Sequence, residues 1–159
     1  MNENGEFYLA DAIAVIEEIL ASGGEFKLYP KGTSMLPLIV QGRDAVVLSR
    51  KSGTVPAKKH DIAFYRRNNG QFVLHRVVNL ENDGTYTMCG DNQLTLERGI
   101  LPEQIIGTVT KIYRKGAEIS QKNLFYRIYV FFWCNMLFRR YYRAVKDRLA
   151  GIRKKMRKS

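Results

Sequence analysis

A mainly β domain, preceded by one amphipathic helix and followed by a basic helical tail, is the fold class this sequence predicts. Three observations carry the prediction: short runs rich in Val, Ile, Phe, Tyr and Thr between residues 25 and 114, Asn-Gly and Asp-Gly turn signals between them, and a change to three-to-four apolar spacing on either side. A chain of 159 residues with 45% hydrophobic content can bury a core, and its length suits one domain with an appendage.

Residues 7 to 22 read as the helix. Leu9, Ile13, Ile16 and Leu20 stand three or four apart, Asp11, Glu17 and Glu18 fall elsewhere on the wheel, and Gly23-Gly24 supplies the stop. Such a stripe is expected to pack on the domain's own core rather than on a partner.

From Glu25 the pattern changes. Strands are expected at Glu25 to Tyr29, Ala45 to Leu48, Ile62 to Tyr65, Phe72 to Val78, Thr85 to Met88 and Ile106 to Arg114. Asn68-Asn69-Gly70 and Asn82-Asp83-Gly84 read as hairpin turns, because Asn, Asp and Gly accept the positive φ such turns need. The second hairpin would join the strand bearing His75 to the strand leading into Asp91, bringing both towards one end of a sheet.

The tail begins near Lys122. An apolar run from Ile128 to Phe138 is broken only by Asn135, and the eleven residues between Arg127 and Arg139 would form a helix of about 16 Å against a hydrocarbon core of about 30 Å, too short to cross. Beyond it Tyr141, Val145, Leu149, Ile152 and Met156 keep the helical spacing, while Arg140, Arg143, Lys146, Asp147, Lys154 and Lys155 take other positions. The charge lies at this end: residues 1 to 110 hold 11 Lys or Arg and 13 Asp or Glu, and residues 111 to 159 hold 15 and 2. With the rings of Tyr126, Tyr129, Trp133, Tyr141 and Tyr142, residues 122–159 are expected to make a peripheral contact with a membrane surface, on the anionic cytoplasmic side. Docking on this domain or on a partner protein is the next reading. Nucleic acid is the weakest, since no DNA-binding motif precedes the β region. The acidic Glu3 and Glu6, without a basic leader or a continuous apolar run, give no expectation of a secretory signal or an N-terminal anchor.

Three separated segments carry the chemistry: Gly32-Thr33-Ser34-Met35-Leu36-Pro37, Leu74-His75-Arg76-Val77-Val78 and Gly90-Asp91-Asn92. A serine hydroxyl becomes nucleophilic when a neighbouring base takes its proton, and an imidazole oriented by a third group is suited to that task. Ser34 is therefore the candidate nucleophile, His75 the base, and Asp91 the acid. Taken singly, a serine is most often a turn residue, a strand histidine is most often packed, and an Asp in a Gly-Asp-Asn loop often caps a turn. Arg76 is placed to close a salt bridge near the site, and His60 reads as a surface turn residue.

These boxes, with Gly42-Arg43-Asp44-Ala45-Val46-Val47 and His60-Asp61-Ile62-Ala63 between them, resemble the signal peptidase and LexA-like serine peptidase superfamily over roughly residues 27 to 115. The resemblance is closest to the endoplasmic-reticulum and archaeal type of signal peptidase, in which a histidine stands where bacterial members have a lysine. It implies a coiled, mostly antiparallel sheet and cleavage of a leader or signal-like peptide, with small side chains near the scissile bond. The match is imperfect. Gly32 stands where signal peptidases often carry a second serine, so an oxyanion hole would rest on the Ser34 N–H, with the Thr33 hydroxyl as another donor and Met35 burying the loop or lining a substrate cleft. Glu97-Arg98 occupies the place of an Asp-Arg pair in the endoplasmic-reticulum type, which makes Glu97 the alternative to Asp91.

The expected activity is that of a serine endopeptidase acting on a peptide or preprotein without metal or organic cofactor. Cys89 and Cys134 offer neither a disulfide framework nor metal-ligand spacing. A catalytically idle peptide-binding module, tethered by its basic tail, is the reading from another class. A self-cleaving repressor would need an internal cleavage sequence and a DNA-binding domain, and neither is seen.

Overall fold

The computed structural model describes residues 9–50, 56–120, 123–135, 137–142, 144–145 and 148–149. The start of the expected helix at residues 7 and 8, together with Lys122, Arg143, Lys146, Asp147, Ile152, Lys154, Lys155 and Met156, lies outside them, as do the side chains of Leu9 and Asp11. The chain divides into two compact units, Met1–Ser120 and Gln121–Ser159.

The first unit opens with α1 (Leu9–Ala21). It buries Ile13, Ile16 and Leu20, the stripe read from the spacing. The helix ends where Gly23 takes a left-handed φ of 83° and Gly24 N–H bonds back to Ile19 O at 2.9 Å, an arrangement glycine adopts without Cβ strain. The strands follow as β1 (Glu25–Leu28), β2 (Asp44–Ser49), β3 (Ile62–Arg66), β4 (Phe72–Leu80), β5 (Tyr86–Cys89), β6 (Glu97–Ile100), β7 (Ile105–Arg114) and β8 (Ala117–Ile119). They form one sheet in the order β1-β2-β7-β3-β4-β5-β6, with β8 paired to β7, and every pairing is antiparallel.

The class expected from the sequence is thus present as a mainly β, antiparallel sheet. Both hairpin turns lie where Asn-Gly and Asp-Gly stand, between β3 and β4 and between β4 and β5. β6 and β8 are not among the strands expected from the sequence. Glu97-Arg98-Gly99-Ile100 and Ala117-Glu118-Ile119 are short and mostly exposed, so neither presents the apolar alternation that marks a strand.

Register shifts at Val47/Leu48, Phe64/Tyr65, Val77/Asn79 and Tyr86/Met88 interrupt the ladders. Such shifts bend and twist a strand locally and re-aim its side chains. β2 and β3 are buried almost throughout, so both sheet faces are covered there. Ala57, Ala63, Tyr65, Val77, Tyr86, Met88, Ile100 and Ile105 make one apolar cluster. Burying each of its larger side chains contributes about 1.5–3 kcal/mol, which fixes the strand faces and hence which way His75 points.

In the second unit, Asn123 caps α2 (Leu124–Trp133) by accepting Phe125 N–H at 2.8 Å. The interruption read at Asn135 is a second cap, since its side-chain oxygen accepts Leu137 N–H at 3.0 Å and Phe138 N–H at 3.3 Å. Helix then resumes over 137–142. Arg139 covers the end of α2 by donating to Trp133 O at 2.6 and 3.0 Å.

Candidate active site

Ser34 lies in the turn-rich connection between β1 and β2. Leu36 N–H bonds to Thr33 O at 3.2 Å, Ile39 N–H to Met35 O at 2.9 Å and Gly32 N–H to the Gln41 side-chain oxygen at 2.6 Å. Arg114 reaches across from β7 to Leu38 O at 2.9 Å. Met35, Leu38 and Ile39 are buried, Ser34 is half-buried and Thr33 is exposed. The segment is therefore pinned by its own apolar residues on one side while Ser34 remains within reach of solvent.

A second loop braces it. Asn92 N–H donates to Ser34 O at 2.7 Å, and the Asn92 side-chain amide donates to Thr33 O at 3.1 Å. Gly90 sits so close that a Cβ built on it would lie 2.7 Å from Ser34 O. Cys89, the residue before it, is the register partner of Arg76, which follows His75 on β4. The serine loop and the histidine are thereby brought to the same end of the sheet. No hydrogen bond joins Ser34 Oγ to His75 among the described residues.

His75 is buried on β4 opposite Ala63 of β3. Its Nδ1 lies 3.0 Å from Glu97 Oε1 and 3.3 Å from the Tyr65 hydroxyl. Tyr65 donates to Glu97 Oε2 at 2.8 Å, Arg67 Nε donates to the same oxygen at 2.7 Å, and Arg67 Nη2 bonds to Oε1. The proton count follows from these partners. An ionised carboxylate only accepts and the single Tyr65 proton is committed to it, so the proton on the neutral imidazole sits at Nδ1 and the lone pair at Nε2.

The electrostatics agree with that tautomer. Burial pushes His75 below its ordinary value of 6.5, with the Glu97 charge working against the shift and Arg67 adding to it. The imidazole is therefore neutral at pH 7. For Glu97 burial alone would favour the neutral acid, but hydrogen bonds from Arg67 and Tyr65, with the Arg67 charge and, once the ring is protonated in acid, that of His75, hold it below its ordinary 4.5. Burial and the bond to Glu97 raise Tyr65, which keeps its proton.

Asp91, expected as the orienting acid, is placed otherwise. Its carboxylate receives Arg76 Nε at 2.8 Å and Arg76 Nη2 at 2.6 Å, with both side chains fully buried. Arg76 also donates to His60 O at 2.9 Å. The expected salt bridge of Arg76 thus exists and Asp91 is its partner, because a buried guanidinium takes the nearest carboxylate whose fork matches its own. Glu97, the alternative in the sequence, stands at His75 Nδ1. Tyr65 and Arg67 complete the site without a signal in the sequence, since a tyrosine in an apolar strand and an arginine before a turn carry no pattern of their own. The pairing of Glu97 with Arg98 was the one available signal.

An apolar cleft of about 470 Å³ opens beside Ser34, walled by Ile13 and Ile16 of α1, Phe26 and Leu28 of β1, Met35 and Ile39 of the serine loop, Phe64, and Phe72 to Leu74 of β4. That volume lies within the range of small-ligand pockets. Met35 both buries the loop and lines this cleft, while exposed Thr33 is not among its walls. Among the described residues no group of three or more His, Cys, Asp or Glu side chains is arranged to hold a metal ion.

Comparison with protein-family models, with curated proteins and with solved structures finds no match for this chain.

Proposed function

We propose that this chain is a serine endopeptidase of the signal-peptidase-like kind, with Ser34 as nucleophile, His75 as general base and Glu97 as the group that orients the imidazole. The observation that carries the reading is the carboxylate of Glu97 at 3.0 Å from His75 Nδ1, itself fixed by Arg67 and Tyr65. A base needs its lone pair on the nitrogen facing the nucleophile, and a carboxylate behind the ring both selects that tautomer and stabilises the imidazolium that forms.

Ser34 Oγ attacks the scissile carbonyl while Nε2 takes its proton. The tetrahedral oxyanion collapses to an acyl-serine ester, and the imidazolium returns the proton to the departing amine. Water then adds to the ester with His75 again as base, releasing the new carboxylate and restoring the serine. The Ser34 N–H, which makes no hydrogen bond among the described residues, is available to the oxyanion. Catalytic contacts in unliganded sites are commonly long and tighten with substrate, so in this reading the Ser34 Oγ to His75 Nε2 hydrogen bond is made in the substrate-bound state.

An extended peptide would add to the outer edge of β1, whose Phe26 and Leu28 wall the cleft, with main-chain bonds giving affinity and the cleft giving selectivity. A cavity of about 470 Å³ lined by rings and aliphatic chains favours a bulky apolar side chain next to the cleaved bond, in contrast to the small residues that the family resemblance implies.

The test is mass spectrometry of a diverse peptide library incubated with the wild-type protein, Ser34→Ala and His75→Ala, each checked for folding by thermal denaturation. New termini beside bulky apolar residues, generated by the wild type alone, support the reading. Cleavage by Ser34→Ala at the wild-type rate removes it, and peptide retention without cleavage by folded wild type makes the protein an idle binding module.

A further inference from the structure

The ten residues of α2, Leu-Phe-Tyr-Arg-Ile-Tyr-Val-Phe-Phe-Trp, are apolar or aromatic apart from Arg127, yet none of them is buried. Phe125 is 80% exposed, Phe131 74% and, beyond the Asn135 cap, Leu137 75%. Apolar area presented in this way is ordinarily covered by something. Charge decides by what. Residues 1–120 hold fourteen Lys or Arg against fourteen Asp or Glu, whereas residues 121–159 hold twelve against one, so the whole formal charge of +11 belongs to the second unit.

A second copy of the tail would bring two such charges together. Nucleic acid would satisfy the cations and leave the rings in water. An anionic phospholipid surface satisfies both, because headgroups take the Lys and Arg while the acyl boundary takes the rings. The aromatic arrangement fits that boundary: Trp133 stacks on Tyr129 at 5.2 Å and meets Tyr142 at 5.1 Å, rings with apolar bodies and polar tips, and packs against the wholly apolar Phe138 at 6.4 Å. α2 is about 15 Å long at helical rise, and no helix among the described residues is long and apolar enough to cross a membrane.

We propose that the second unit binds an anionic phospholipid surface through α2, which lies in the plane of that surface and inserts its exposed rings to the depth of the acyl boundary. Trp133 is the sole tryptophan and reports its own environment. The full-length protein is titrated with vesicles of phosphatidylcholine alone and of phosphatidylcholine mixed equally with phosphatidylglycerol, following Trp133 emission and its quenching by brominated lipid. Binding to the mixed vesicles at least about tenfold tighter, with a blue shift and quenching, is expected, since each cation near such a surface adds appreciably to the affinity. Phe125→Glu with Phe131→Glu should abolish the quenching while leaving most of the positive charge, and Phe131→Ala should weaken it. Ser34→Ala should bind like the wild type, because the inference is independent of the peptidase reading. Equal affinity for both vesicles, adsorption without a shift of Trp133, wild-type quenching in the double variant, or an equal shift produced by soluble polyglutamate would each overturn it.

Discussion

Arg76 and Asp91 form a two-bonded ion pair with neither side chain accessible to solvent, one residue along β4 from His75 and one residue beyond Gly90. It ties the strand that carries the imidazole to the loop that braces Ser34. The pair holds two segments in register, and the Asp91 charge also acts on the His75 ring, favouring its protonated form.

Asp91→Ala should therefore act first on stability. Removing one partner strands a buried guanidinium, at a cost of about 3–5 kcal/mol. Urea unfolding would read this as a lower midpoint. Glu97→Ala leaves a less buried arginine that water can reach and should cost distinctly less. A stable Asp91→Ala that had lost only its catalysis would instead give Asp91 a direct part in the chemistry.

The pH dependence has a definite sign. His75 titrates below 6.5, so the acid limb of kcat/KM should lie below the ordinary imidazole value, with activity at plateau through neutrality. The Glu97 charge works to raise His75, so Glu97→Gln should move that limb further down, and loss of ring orientation should lower the plateau by roughly 10²–10⁴-fold. Stability follows the same groups. His75 and Glu97 both bind protons more weakly in the folded state, so their contribution is complete above the unfolded-state values of 6.5 and 4.5 respectively and is lost as pH falls through the lower folded values. Thermal midpoints measured against pH should rise from acid towards neutral, and in His75→Phe the upper part of that rise should disappear. A limb above the ordinary imidazole value would contradict the buried, neutral base.

What the sequence made legible were the parts with local signals. The α1 stripe of Ile13, Ile16 and Leu20, the Asn-Gly and Asp-Gly hairpins, and with the second hairpin the pairing of the His75 strand with the strand leading into Asp91 all follow from spacing and turn chemistry within a few residues. The partner of His75 does not. Asp91 and Glu97 lie six residues apart, and only the arrangement of β6 against β5 decides which reaches the ring. The Gly-Asp-Asn loop is the expected source of the acid because it is one of the boxes that carry the family resemblance. The fork of Arg76, placed by the β4–β5 ladder, takes that carboxylate instead. Tyr65 and Arg67 were hidden for the same reason, since their roles arise from long-range strand pairing rather than from their neighbours in the chain.

Gly90 gives the sharpest steric test of how the serine is held. A Cβ there would stand 2.7 Å from Ser34 O and 2.9 Å from Gln93 Oε1. The glutamine can swing away, but the Ser34 carbonyl already accepts Asn92 N–H at 2.7 Å and cannot retreat without breaking that bond. Gly90→Ala should thus push the Ser34 loop off the Gly90–Asn92 loop, with an overpacking cost of about 1–3 kcal/mol. A shift approaching 1 Å at a reacting atom costs on the order of 10²-fold, so kcat should fall far more than stability would suggest. The comparison to make is kcat/KM and the rate of labelling by a serine-directed phosphonate, wild type against Gly90→Ala, at a temperature where both remain folded. Depressed labelling alongside depressed turnover places the fault at the nucleophile itself. Unchanged rates in both assays would mean that the loop contact does not position Ser34.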